Sequence, residues 1–136
     1  MLGLERFSGP LLSALRIVSG LLFLEHGTAK LFTFPLTQMF PHPPEPGTPQ
    51  GTMLFIAGIL EVVGGALVTL GLFTRPVAFI LSGQMAVAYW LVHAPQSPFP
   101  AVNQGDAAIL FCFIFLYIAA AGGGSIGVDA ALRKKP

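Results

Sequence analysis

Charge is scarce in this chain. Of its 136 residues only 10% are charged and 54% are hydrophobic, whereas a soluble domain carries about 25% charged residues. That shortfall excludes a surface built to face water on all sides. The net charge of +1 comes without a clustered basic face, so no nucleic-acid partner is expected. Cysteine is scarcer still. Cys112 stands alone in "AAILFCFIFLYIAAAG", which rules out an intrachain disulfide and a CxxC dithiol relay. It reads as a small packing residue. No Gly-rich phosphate loop, paired haem ligands or nucleophile elbow occurs either.

What the chain does have is long apolar runs. They cover about 11–34, 53–73, 76–94 and 106–123, and a membrane span needs roughly 20 residues, with a range of about 17–25. The first two meet this easily, and the last two lie near the lower limit. The expected fold is all-α: an integral membrane four-helix bundle forming one domain over residues 1–136. The first run reads as a retained helix, since its charges lie within and beyond the apolar stretch rather than only ahead of it.

The connections differ in kind. "GLFTRP" reads as a tight turn, with Gly71 ending the second helix and Pro76 opening the third. Loop 35–52 lies in a stretch holding six of the twelve prolines, a density that favours an extended, semi-rigid segment. Loop 95–105 is also proline-rich, and Asn103 is a candidate cap for the fourth helix. Arg6, Arg75, Arg133, Lys134 and Lys135 flank the spans on one side, while the two long loops have no Lys or Arg. The positive-inside rule then places both termini in the cytoplasm and both loops outside. The expected location is the cell membrane, the inner membrane of a bacterium.

Ionisable groups inside the runs need an explanation. "LLFLEHGTAKLF" sets Glu25, His26 and Lys30 in an apolar helix that also carries Arg16. On insertion scales an apolar residue contributes about −0.3 to −0.6 kcal/mol, while a central Arg, Lys or Asp costs roughly +2.5 to +3.5. Arg16 and Lys30 can reduce this by snorkelling toward opposite surfaces. Glu25 and His26 need partners or neutralisation. At about 100° per residue, Arg16, Ser19, His26 and Lys30 share a broad face, and Glu25 points away toward another helix, a partner protein or lipid.

Depth gathers the polar groups. His26 lies about 9 Å, and Glu61 roughly 12 Å, inward from the outer ends of their helices at 1.5 Å per residue. Gln84 falls near mid-membrane, His93 at the outer end of the third helix, and Asn103 and Asp106 at the outer start of the fourth. His26, Lys30, Glu61, Gln84, His93, Asn103 and Asp106 are therefore the candidate ligand-binding residues. They form either a pocket or an internal network that fixes the bundle's register, since intramembrane ionisable residues are functional candidates by default. No HxxxH or ExxH spacing sets two ligands on one turn, so no metal is expected. Small residues on the second helix (Gly58, Gly64 and Gly65) read as a face for close helix approach.

"LRIVSGLLFLEHGTAKLF", "GILEVVGGALVTLGLFTRPVAFIL" and "NQGDAAILF…IAAAGGGSIGVD" together resemble the DoxX family of small four-helix membrane proteins. The resemblance runs from about Leu15 to Asp129, with Asp106 where the family often has Glu. It implies Arg16, His26, Gly27, Lys30, Glu61, Gly64 and Arg75 as motif residues. DoxX-like proteins are similar to the small subunit of an archaeal thiosulfate:quinone oxidoreductase, and one mycobacterial member is associated with a membrane oxidoreductase complex. The resemblance thus implies a subunit or accessory of a membrane redox system handling quinone or a small sulfur compound. In that reading Glu61 is the charge partner of His26, and Lys30 holds an anion. The chain offers no electron carrier, so a redox role needs a bound cofactor such as a quinone, or a partner protein. The alternatives are a non-catalytic scaffold that meets membrane or redox proteins, or a second copy of itself, through Glu25, and a small-solute transporter. Four helices without an internal repeat give alternating access little support.

Overall fold

The computed structural model describes residues 3–134, whose regular elements are all helical with no strand among them. Lys135 lies outside the described residues. After a 3-10 turn at Leu4–Phe7, α1 runs Ser8–Phe32, α2 Pro49–Leu70 and α3 Thr74–Ala88. The third helix continues as a π-helical turn, Tyr89–His93, and a 3-10 turn, Ala94–Gln96. The short α4 (Pro100–Asn103) precedes α5 (Asp106–Ala121), and α6 (Val128–Arg133) follows.

Two helices begin earlier than their apolar runs suggest. The helix α2 starts at Pro49, inside the segment read as loop 35–52, because proline at the first helical position gives up only an N–H that would be unpaired anyway. Thr48 caps it, its hydroxyl accepting the Gly51 N–H at 2.9 Å. The helix α3 starts at Thr74 rather than Pro76, and its cap comes from far along the chain. The Asp129 carboxylate accepts the N–H of Phe73 at 3.0 Å and of Thr74 at 2.9 Å. Burial alone would raise the Asp129 pKa. The amides of Thr74 and Phe73 and the Arg133 charge outweigh that and hold it below the usual carboxylate range.

Asn103 does not cap the last long helix. The N-cap of α5 is Gly105, without a side-chain bond. Asn103 instead shapes the turn ahead of it, its Oδ1 accepting the Gly105 N–H at 2.8 Å. The π turn has a local cause. Pro95 has no N–H and its ring crowds the carbonyl four residues back, so regular α geometry cannot continue through it.

Packing divides the helices into two pairs. The most extensive contacts join α1 to α2 and α3 to α5, and those between the pairs are sparser. The first pair meets backbone to backbone. A Cβ on Gly27 would lie 2.7 Å from the Val62 nitrogen, and one on Gly65 2.7 Å from the Leu24 nitrogen. Gly58 faces Leu31 of α1 in the same seam, while Gly64 turns toward Leu81 of α3. The small face of α2 therefore serves two neighbours.

Polarity is inverted relative to a soluble protein. Arg16, Glu61, Ser13, Ser19, Ser82 and Asn103 are buried, while Leu11, Val18, Leu22, Val63, Phe79 and Phe113 are exposed. Apolar side chains facing outward from helices suit hydrocarbon and not water. Three helical stretches, Leu4–Phe32, Pro49–Leu70 and Thr74–Gln96, are long and apolar enough to cross a membrane. The helix α5 is apolar but shorter: its 16 residues reach roughly 24 Å at 1.5 Å each, against a hydrocarbon core of about 30 Å.

The two pairs are pinned together at the end carrying the 71–73 turn, and the pin is Arg16. It does not snorkel; it is 1% exposed. Its Nε donates to Gly123 O at 2.9 Å and its Nη2 to Ile126 O at 2.6 Å. Its Nη1 donates to Val68 O and Thr69 O, each at 2.5 Å. Val68 and Thr69 lie in the last turn of α2, where the Val68 carbonyl also accepts the Gly71 N–H at 3.1 Å and the helix dipole favours a cation. Gly71 ends that helix with φ +71°, and a Cβ there would come 2.9 Å from Nη1. Arg75 serves α5 in the same way, donating to Ala120 O at 2.8 Å.

Candidate functional site

At the opposite end the helix pairs enclose a cavity of about 720 Å³. It is lined by His26, Lys30, Glu61, Gln84, His93 and Asn103. Asp106 is the exception among the candidates: it is exposed at the first turn of α5 and is absent from the lining.

Its centre is an ion pair between helices. Lys30, in the last turn of α1, donates to both oxygens of Glu61 on α2, at 2.5 and 2.7 Å. The pair is well shielded, with Lys30 12% and Glu61 1% exposed. Lys30 therefore does not snorkel to the surface. Gln84 on α3 donates to Glu61 Oε1 at 3.1 Å and to Ala57 O at 3.3 Å, leaving its own Oε1 buried and without a partner. Phe40, from the proline-rich loop, places its ring 5.1 Å from the Lys30 ammonium, a cation–π contact that covers the pair.

The charge partner of Glu61 is thus Lys30 and not His26. The reason is reach: Lys30 lies one turn beyond His26 and its long stem extends to both carboxylate oxygens. His26 faces the same cavity, edge-on to Phe111 at 6.3 Å. His93 is fixed through one nitrogen, its Nδ1 lying 2.9 Å from Asn103 O. A carbonyl cannot donate, so Nδ1 carries the proton and Nε2 is the free ring nitrogen. Asn103 is held in turn, its Nδ2 donating to Ser97 O at 2.8 Å. The rest of the wall is mainly apolar, with Phe23, Leu60, Met85 and Phe111 among its residues.

Several lining residues escaped the sequence reading. Phe40 and Met39 come from the proline-rich loop, and Gln50 from the first turn of α2, ahead of its apolar run. Gln96 and Gln104 come from the segment after the π turn. Hydrophobic periodicity reports on helices and not on loops that fold back over them; only Pro49, a favoured first helical residue, hinted at the longer α2. Glu25 is exposed and lies outside the lining. Among the described residues, no group of three or more His, Cys, Asp or Glu could hold a metal ion.

A model of the DoxX family matches residues 11–94. The chain belongs to the DoxX family. A relative from Haemophilus influenzae, described as "Uncharacterized protein", is 40% identical over 138 residues, covering 99% of this chain and 100% of the relative. No solved structure matches the chain significantly. Family membership and the outward apolar faces together make this a membrane protein whose helices contact the lipid bilayer. The DoxX match takes in Arg16, the Lys30–Glu61–Gln84 cluster and both cavity histidines, and it stops before Asn103 and the glycine-rich segment that closes over Arg16.

Proposed function

We propose that this DoxX-family protein binds a membrane-soluble quinone as a subunit or accessory of a membrane redox system. The observation that carries this reading is the cavity: about 720 Å³, apolar walls, and polar groups from three long helices converging at its centre. Such a site suits a flat apolar ring with polar substituents. Lys30 has three N–H donors, of which two meet Glu61, so one remains for a ligand oxygen. His26 and the free Nε2 of His93 add two imidazoles, the side chains best suited to proton exchange near neutral pH. The chain contributes the binding site and the proton positions, and electrons pass between the ligand and a partner protein.

Native mass spectrometry of gently solubilised protein tests this reading. A quinone is expected to co-purify with the wild type and to be lost from His93→Leu. A stoichiometric protein partner with no small molecule would instead support a scaffold. One observation favours that second reading: Glu25 is a charged residue exposed on α1 outside the cavity, where a partner helix could meet it.

We also place the protein in the bacterial inner membrane, with α5 as a fourth crossing and both termini cytoplasmic. Arg6, Arg75 and Arg133 all belong to the Arg16 end or its adjoining termini, while residues 33–52 and 95–105 have no Lys or Arg. The cavity then opens in the outward half. Cysteine introduced at Pro44, in a Cys112→Ala background, is expected to react with an impermeant thiol reagent in intact cells. Labelling only after lysis would reverse the orientation.

A further inference from the structure

We propose that the seam between α2 and α3, at Gly83, is where the apolar tail of the cavity's ligand passes into the lipid. This rests on the reading of the cavity as a quinone site and specifies which quinones it takes. The two helices are joined by a tight turn, yet each packs chiefly on another helix, α2 on α1 and α3 on α5. They touch near the turn, where a Cβ on Gly64 would lie 2.6 Å from the Leu81 side chain. Farther along, at Gln84, a long side chain spans the seam to Ala57 and Glu61.

Gly83 differs from the packing glycines. Added methyl groups at Gly20, Gly27, Gly58, Gly64 and Gly65 would collide with a neighbouring helix, whereas one at Gly83 meets nothing within 4 Å. Close helix approach therefore does not require glycine here. Ile80, Gly83 and Val87 share one face of α3. They are exposed and also line the cavity, as does Ile56 of α2. The cavity is therefore open to its surroundings along this apolar stripe. At the depth of Phe23 the other seam, between α1 and α5, is filled by aromatic rings: Phe23 meets Phe115 at 5.0 Å and Phe111 at 5.5 Å. Nearer the loops, the exposed residues lining the cavity on that side are His26 and Ala107, so an opening there passes a polar imidazole. A ligand with its polar head near Lys30 and Glu61 thus has an apolar way out past Gly83. A tail-less ring would not use it.

The test compares two naphthoquinones with the same ring: phylloquinone, which has a long phytyl tail, and menadione, which has none. Binding is measured to the full-length protein in lipid nanodiscs. Gly83→Phe and Val87→Trp each narrow the seam without touching the Lys30–Glu61 pair. Both are expected to weaken phylloquinone binding at least about tenfold more than they weaken menadione binding. Retained menadione binding also shows that each variant is folded. Equal loss of both ligands, or no loss of phylloquinone in either variant, would overturn the seam as the tail's route. If the wild type binds neither, the quinone reading itself falls, and the seam with it.

Discussion

Arg16→Leu is expected to lose about 2–5 kcal/mol of stability, because it strands buried carbonyl acceptors at about 1–3 kcal/mol each. Thermal unfolding in detergent measures it. The reason lies in the four carbonyls that converge on one guanidinium, those of Val68, Thr69, Gly123 and Ile126. Once the side chain is removed, the Thr69 and Ile126 carbonyls lose their donor, while Val68 O keeps the Gly71 N–H and Gly123 O keeps the Ser13 hydroxyl. An unsatisfied buried acceptor costs about 1–3 kcal/mol. Arg16→Lys is expected to recover little of the loss. A lysine keeps the charge, but its single ammonium cannot fork toward carbonyls arriving from two directions. A loss below about 1 kcal/mol, the level of an exposed ion pair, would show that Arg16 does not pin the helix pairs.

Lys30→Met is expected to destabilise more than Glu61→Leu. In the first variant Glu61, 1% exposed, is left as a buried carboxylate held by Gln84 alone. In the second, Lys30 sits in the last turn of α1 and can swing its ammonium toward the surface. We expect about 3–5 kcal/mol for Lys30→Met and distinctly less for Glu61→Leu, as when one partner of a buried pair is removed. The double variant should recover much of the loss, with a coupling of about 2–3 kcal/mol. The same cycle with His26→Gln and Glu61→Leu should be nearly additive, since no hydrogen bond joins those two residues among the described ones. Additivity between Lys30 and Glu61, or strong coupling between His26 and Glu61, would refute this assignment.

Hydropathy and periodicity determined much of this protein without tertiary information. Low charge and long apolar runs are sums over neighbouring residues, so the helical class and membrane environment were legible directly. The candidate positions were legible for a related reason. An ionisable side chain in an apolar helix is costly wherever the helix lies, which singled out His26, Lys30, Glu61 and His93 before any partner was known.

Partners were another matter. Arg16 draws its acceptors from residues 68, 69, 123 and 126, and Asp129 caps a helix that begins 55 positions earlier in the chain. Lys30 rather than His26 reaches Glu61 because of rotamer reach across a close glycine contact, and helical phase alone does not encode reach. The gap at Gly83 was also out of sight, because a glycine on a helix looks the same in sequence whether a neighbour presses on it or not. Local pattern set which residues had to be protected from lipid. Only the packing of two helix pairs, joined at Arg16 and spread at the other end, decided which groups protect them and where a cavity is left.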